Sequence, residues 1–423
     1  MDVILWFLHI ALIFVIGLRV YKKQPALRKF FWPALSFKLF AGVCLGLVYT
    51  YFYTVADTFD YFRDASELAS LAREDLSAYF RLIVFDENIH TLNLVFDQPR
   101  AVLLTKITSV FNLLTGNNYW VIGFYFSLIS FLASWNLVQN INRYIPSVGL
   151  AAAIAFLFLP SVVFWTSGIL KESIAMACLC YLSALFLRIW FNEKPTVWQL
   201  LLSFISLWFF WNLKYYYAAV FVPVIITSMA YKFLIAKKFA SSPGREMFVW
   251  VVMFILPLVA VTFLHPNFHF DRLLDVIVSN NQGYNELSAP EDVVHFNHLR
   301  ATPMSLLRNA PWALFSGLFR PLFWEVSSFI QFLQGMENTL ILVLLVAASF
   351  RYKRYFSSPH RVLMMALIVY VILLCIFLTL SAPNFGTLSR YRMGYLSFFV
   401  FIILCNNPIV DYLERSLARL VSH

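Results

Sequence analysis

Residues 197–213 read VWQLLLSFISLWFFWNL and residues 216–234 read YYAAVFVPVIITSMAYKFL, two apolar runs parted by Lys214 and Tyr215. A helix needs about 20 mostly apolar residues to cross a bilayer, and runs of this kind recur along the chain. Working outward from this pair, candidate spans fall near 3–20, 31–53, 118–140, 148–164, 170–190, 197–213, 216–234, 247–264, 338–350, 362–381 and 393–407. The run at 338–350 reaches full length only if it extends back through Phe332 and Leu333. All are apolar on both faces, which speaks against the alternating pattern of a β-barrel strand. Only 13% of the 423 residues are charged and 61% are hydrophobic, with a mean hydropathy of +0.73. Soluble domains carry about twice that charge, so an ordinary cytosolic enzyme is excluded. The expectation is an all-α polytopic membrane protein with about eleven transmembrane helices, one integral membrane domain over 1–423.

More than half of the 32 Lys and Arg residues lie in short loops at alternate span ends, such as Arg19/Lys22/Lys23/Arg28/Lys29 and Lys232/Lys237/Lys238/Arg245. The positive-inside rule makes that side cytoplasmic, with the N-terminus outside and the C-terminus inside. Most of the 22 Asp and Glu lie opposite, in the long segments 54–117 and 265–337 and the turn at 167–173. Both long segments carry apolar residues at helical spacing, as in Leu68, Leu71, Leu76, Tyr79 and Phe80. They read as amphipathic helices at the outer interface. The net charge of +10 is then a skirt against anionic lipid, and nucleic acid is not an expected partner. The first span lacks a basic start and a cleavage site, so it reads as a retained helix. Five Cys, mostly within spans, suggest neither a disulfide framework nor a zinc site.

Polar residues on the external side are the candidates for chemistry. Asp57, Asp60, Tyr61 and Asp64 share one helical face, suited to a general base beside a cation, and equally to a helix cap with solvated neighbours. Lys171 and Glu172 follow Gly168 between two apolar runs, where ionisable groups are costly. Lys171 suits a lipid phosphate with Glu172 fixing it, or a snorkelling Lys paired to its neighbour. Lys214 is one more phosphate candidate, beside Tyr215, Tyr216 and Tyr217, which on their own read as an aromatic belt. Arg320 lies among aromatic residues and fits either a phosphate grip or a salt bridge to Glu325. Arg390 and Arg392 flank Tyr391 at the start of a span, as a phosphate clamp or an interfacial anchor. The spacings His265-x3-His269 and His295-x2-His298 resemble zinc pairs only weakly and read as surface histidines. No Walker loop, dinucleotide fingerprint or nucleophile elbow occurs.

The pattern Asp57…Tyr61…Ala65 resembles the Asp-x3-Tyr-x3-Ala element in the first external loop of polytopic GT-C glycosyltransferases, which take sugars from polyprenyl-phosphate carriers. Gly116-Asn117-Asn118-Tyr119-Trp120, Pro160 with the Ser167–Ser173 stretch, and Arg390-Tyr391-Arg392 add to the likeness. Thr58 stands where that family often has a second acid, one extra helix precedes the acidic loop, and no large soluble domain follows. The extra helix is also similar to repeat-unit polymerases of surface polysaccharides, which act on lipid diphosphate-linked oligosaccharides. The resemblance implies a GT-C-like fold in a bacterial inner membrane and inverting glycosyl transfer on the external face. Asp57 would be the base with Asp60 its understudy, and Arg320, Arg390, Arg392 and Lys171 would stabilise the departing phosphate. The donor would be a polyprenyl-phosphate- or diphosphate-linked sugar and the acceptor a glycan, lipid or protein. A divalent metal is optional and no cofactor is implied. A polymerase of O-antigen or exopolysaccharide, or a flippase of lipid-linked sugar, are the other functions considered.

Overall fold

The computed structural model describes residues 3–23, 27–53, 57–87, 89, 92–235, 242–264, 270–351 and 360–421. Among them the chain is helical, with no strand beyond an isolated bridge between Val293 and Asn384. It packs as two compact units, Met1–Gly149 with Phe156–Tyr215, and Leu150–Ala155 with Tyr216–His423, where the hydropathy pattern marks no boundary.

In the first unit, α1 (Val3–Lys23), α2 (Phe31–Tyr51), α6 (Tyr119–Tyr144) and α9 (Lys171–Trp190) are each long and apolar. Helix α6 packs along both α9 and α2. Between α2 and α6 lie α3 (Asp57–Glu74), α4 (Leu76–Phe85) and α5 (Pro99–Thr115). This acidic segment is more than a set of helices lying flat on an interface. Leu68, Tyr79, Leu82, Ile89 and Val102 close into a core of their own. Leu76, Phe80 and Val84 stay exposed along one face of α4.

The span expected at 148–164 is broken into α7 (Gly149–Ala153), a π-helical turn over Ile154–Phe158 and α8 (Pro160–Trp165). Proline removes a backbone donor and clashes with the preceding turn, and Pro160 is the first residue of α8. Helix α10 (Val197–Ala230) continues into a π turn to Ile235. Its apolar run of 38 residues, Val197–Leu234, would be about 57 Å long if straight, far beyond one crossing. It breaks at Lys214 (φ −144°, ψ 63°), between the two spans read from the sequence.

The second unit holds the latter part of α10, then α11 (Pro243–Leu264), α12 (Phe270–Leu287), α13 (Pro303–Phe319), α14 (Phe329–Ser349), α15 (Arg361–Ser381), α16 (Phe385–Tyr391), α17 (Met393–Leu404) and α18 (Pro408–Val421). Helix α15 is its hub, packed on α12, α13 and α17. Asn281 Nδ2 donates to Leu380 O at 2.7 Å and Val294 N to Pro383 O at 3.0 Å, which ties the long 265–337 segment to the end of α15 and the loop after it.

Seven helices among the described residues are long and apolar enough to cross a membrane, by length and composition. Helix α14 does extend back through Phe332, whereas α17, at 12 residues, is shorter than the span expected at 393–407. Phe7, Leu8, Phe204, Trp208, Leu333 and Val343 lie exposed on these helices. So much outward apolar surface is costly in water and ordinary against lipid. The architecture is that of a polytopic helical protein.

Candidate functional site

In the first unit α3 and the start of α9 meet where Lys171 lies over the Tyr61 ring. Tyr61 and Asp64 are buried, and Asp57 and Asp60 are half-buried. Asp60 meets exposed Arg63 at 3.6 Å, the solvated pairing of an ordinary surface helix. The head of α3 is fastened by Tyr119, which shares a 2.9 Å hydroxyl contact with Thr58 and stacks on Phe59. Tyr119 is placed by the Gly116–Asn118 turn, where Gly116 and Asn117 are left-handed and Asn118 caps α6 by accepting from Val121 N at 3.1 Å.

Asp64 accepts from Val95 N at 3.1 Å. Burial pushes its carboxyl above the ordinary range, opposed by backbone donors of Val95 and Phe96 and by the Arg63 charge. It is the most buried carboxylate of the face, and its i+7 spacing was the signal that marked it. The sequence reading placed the chemistry on Asp57 and Asp60 instead.

The Lys171 ammonium lies 5.2 Å from the centroid of the Tyr61 ring. Asp57 stands one helical turn before Tyr61 on the same face. Glu172 has a close partner besides its neighbour. Its carboxylate meets Lys214 Nζ at 2.6 Å, both side chains being almost wholly buried. The break in α10 at Lys214 thus delivers a cation to a carboxylate at the positive end of α9.

The turn before α9 is held from several sides. Gly168 is left-handed (φ 66°), and a Cβ there would meet Leu45 Cδ2 at 2.8 Å. Gly168 N donates to Ser127 Oγ at 3.0 Å, and Ser173 Oγ donates to Gly168 O at 2.8 Å. Lys38, within the span expected at 31–53, is buried and donates to Thr166 Oγ1 and to Val163 O. Its charge faces the carbonyl end of α8, the favourable end for a cation.

In the second unit Arg320 is engaged by protein groups. Its Nε donates to both Glu325 oxygens, at 2.9 and 3.1 Å, and its guanidinium lies 5.1 Å from the Trp312 centroid and 5.2 Å from Phe385. The salt bridge weighed at the sequence level is therefore formed, because a largely desolvated guanidinium needs a counter-charge.

Arg390 ends α16 half-buried, while Arg392, two residues on, is 0% exposed. None of the three guanidinium nitrogens of Arg392 has a hydrogen-bond partner among the described residues. The surrounding backbone is fastened by tyrosines: Tyr217 OH donates to Tyr391 O at 2.5 Å, Tyr370 OH to Gly394 O at 2.8 Å and Tyr395 OH to Gly317 O at 2.8 Å. The Tyr215–Tyr217 stretch is thus only partly an interfacial belt. Tyr215 is exposed, whereas Tyr216 and Tyr217 are buried.

His295 Nε2 lies 2.9 Å from Pro290 O, and His265 and His269 fall outside the described residues. Among the described residues no group of three or more His, Cys, Asp or Glu is placed to hold a metal. No family model, curated protein or solved structure matches this chain.

Proposed function

We propose that this chain is a membrane glycosyltransferase that moves a sugar from a polyprenyl-phosphate carrier to an acceptor hydroxyl, with Asp57 as general base. The supporting observation is the contact of Lys171 with the Tyr61 ring, one helical turn from Asp57 on the same face of α3. In the reaction Asp57 takes the proton of the acceptor hydroxyl. The freed oxygen attacks the anomeric carbon from the face opposite the carrier, the bond from that carbon to the carrier phosphate oxygen breaks, and the phosphate leaves with the electron pair. The sugar is inverted. Lys171 supplies positive charge for the departing phosphate, where fixed charges act most strongly. Asp60 is the reserve base, and Arg390 and Arg392 hold a lipid phosphate on the second unit.

A second reading has its own support. Cations suited to lipid phosphate occur in both units, Lys171 in one and Arg392 in the other. A repeat-unit polymerase, which joins two lipid diphosphate-linked glycans, has use for two such sites.

The test is transfer from radiolabelled polyprenyl-linked sugars by the full chain in proteoliposomes. Asp57→Asn is expected to lower turnover by roughly 10²–10⁴-fold, with carrier binding and unfolding midpoint unchanged. Wild-type rate in this variant removes Asp57 as the base. Label that becomes protected inside vesicles without a new glycosidic product replaces the transferase with a flippase.

A further inference from the structure

Between the middle of α6, the end of α9 and the start of α10, the first unit has a partly open cavity of about 300 Å³. That is the lower end of the range for ligand pockets. Leu132 and Ala133 of α6 and Leu185 of α9 form an apolar wall, and Asn136, Tyr181, Arg188 and Gln199 add polar groups. Arg188 stands two residues before the end of α9 and Gln199 two residues into α10. Tyr181 lies seven residues deeper along α9, about 10 Å by helical rise. The cavity is therefore amphiphilic, with its cation at the helix ends and its apolar wall extending inward.

The charge at its rim is unbalanced. Glu193 is shared by Arg143, at 2.6 Å, and by Arg188, whose Nε lies at 3.0 Å. Two guanidiniums thus share one carboxylate, and exposed Lys194 follows directly. Gln199 Oε1 accepts from Thr196 N at 3.0 Å, which fixes the amide and leaves Nε2 as a donor. Beside the cavity α10 exposes Trp198, Leu201 and Leu202, a surface suited to acyl chains. These helix ends carry the short basic loops that the positive-inside rule sets against the anionic cytoplasmic leaflet.

We propose that this cavity binds one anionic phospholipid of the cytoplasmic leaflet, its phosphate on Arg188 and Gln199 and an acyl chain along Leu132, Ala133 and Leu185. The site is independent of the transferase reading, since none of its residues belongs to the Asp57–Lys171 cluster. Free phosphate shares the headgroup chemistry but has no use for the apolar wall.

The test is titration of the purified full chain in detergent with fluorescent phosphatidylglycerol, phosphatidylcholine and inorganic phosphate. Phosphatidylglycerol is expected to bind about fivefold or more tighter than phosphatidylcholine, the weight of one basic residue at an anionic surface. Arg188→Gln should abolish that preference and Arg188→Lys should keep most of it. Ala133→Phe, which fills the cavity and leaves the rim charges alone, should weaken both lipids. Equal affinity for the two lipids, phosphatidylglycerol binding retained in Arg188→Gln, or lipid binding unaffected by Ala133→Phe would each overturn the proposal. So would displacement of phosphatidylglycerol by inorganic phosphate at equal concentration. If Arg188→Gln fails to fold, the Ala133→Phe arm and the comparison of lipids decide alone.

Discussion

Each unit buries a cation, and the two are treated differently. In the first, Lys214 is 3% exposed and lies 2.6 Å from the fully buried Glu172 carboxylate. In the second, Arg392 is 0% exposed and no hydrogen-bond partner meets its guanidinium among the described residues. A closed buried pair balances desolvation against attraction, and its loss leaves an isolated charge. A buried guanidinium without such a partner raises the energy of the folded chain and is stabilised by any anion that reaches it. The contrast separates a cation closed on a carboxylate, Lys214, which joins α10 to α9, from a sealed guanidinium, Arg392, with no hydrogen-bond partner among the described residues.

The largest expected effect breaks the first half of this contrast. Lys214→Met strands Glu172 and should cost about 3–5 kcal/mol, read as a lowered denaturant or thermal midpoint of the detergent-solubilised chain. Adding Glu172→Leu should restore most of it, since the apolar pair replaces both charges. A single variant as stable as wild type would show that the pair is not closed.

Arg392→Met should act in the opposite sense. Removing a buried cation that feels the Glu337 charge but has no hydrogen-bond partner among the described residues is expected to leave stability equal to wild type or raise it by about 1–3 kcal/mol. Binding of polyprenyl phosphate should fall about tenfold, the value of one charge-assisted hydrogen bond. Loss of folding in Arg392→Met, like that in Lys214→Met, would erase the distinction between the two cations.

The smallest effect concerns Asp64, whose burial raises its carboxyl above the ordinary range. As pH falls from neutral, the folded chain takes up this proton before the unfolded chain does. The stability contributed by this site therefore rises on acidification and levels off once the ordinary carboxylate range, near 3.9, is passed. Asp64→Asn keeps the acceptor for Val95 N and loses the titration. Unfolding midpoints between pH 7 and pH 4 should show wild type gaining on Asp64→Asn as pH falls; parallel curves would refute the assignment.

Much of this was visible in the chain itself. Apolar blocks near twenty residues identify most of the long helices, and the pair of runs around Lys214 foretells the break in α10. The shared face of Asp57, Asp60, Tyr61 and Asp64 follows from helical period. The pairing of ionisable groups did not follow. Lys171 and Glu172 are adjacent in sequence and diverge in space, one to the Tyr61 ring and the other to Lys214. Arg390 and Arg392 differ by two residues and by the whole range between half-exposed and sealed. The core formed by Leu68, Tyr79, Leu82 and Val102 was equally hidden, since amphipathic spacing is the same whether a helix faces lipid or another helix.

Composition and periodicity determined that the chain is helical, that its helices are built for an apolar solvent and which residues share a helix face, because these depend on local hydrophobicity and on 3.6 residues per turn. Only the tertiary structure decided which buried charges close on one another and which remain open. That depends on contacts between residues as far apart as 172 and 214, and on the directions side chains leave a helix, neither of which is written in the order of the amino acids.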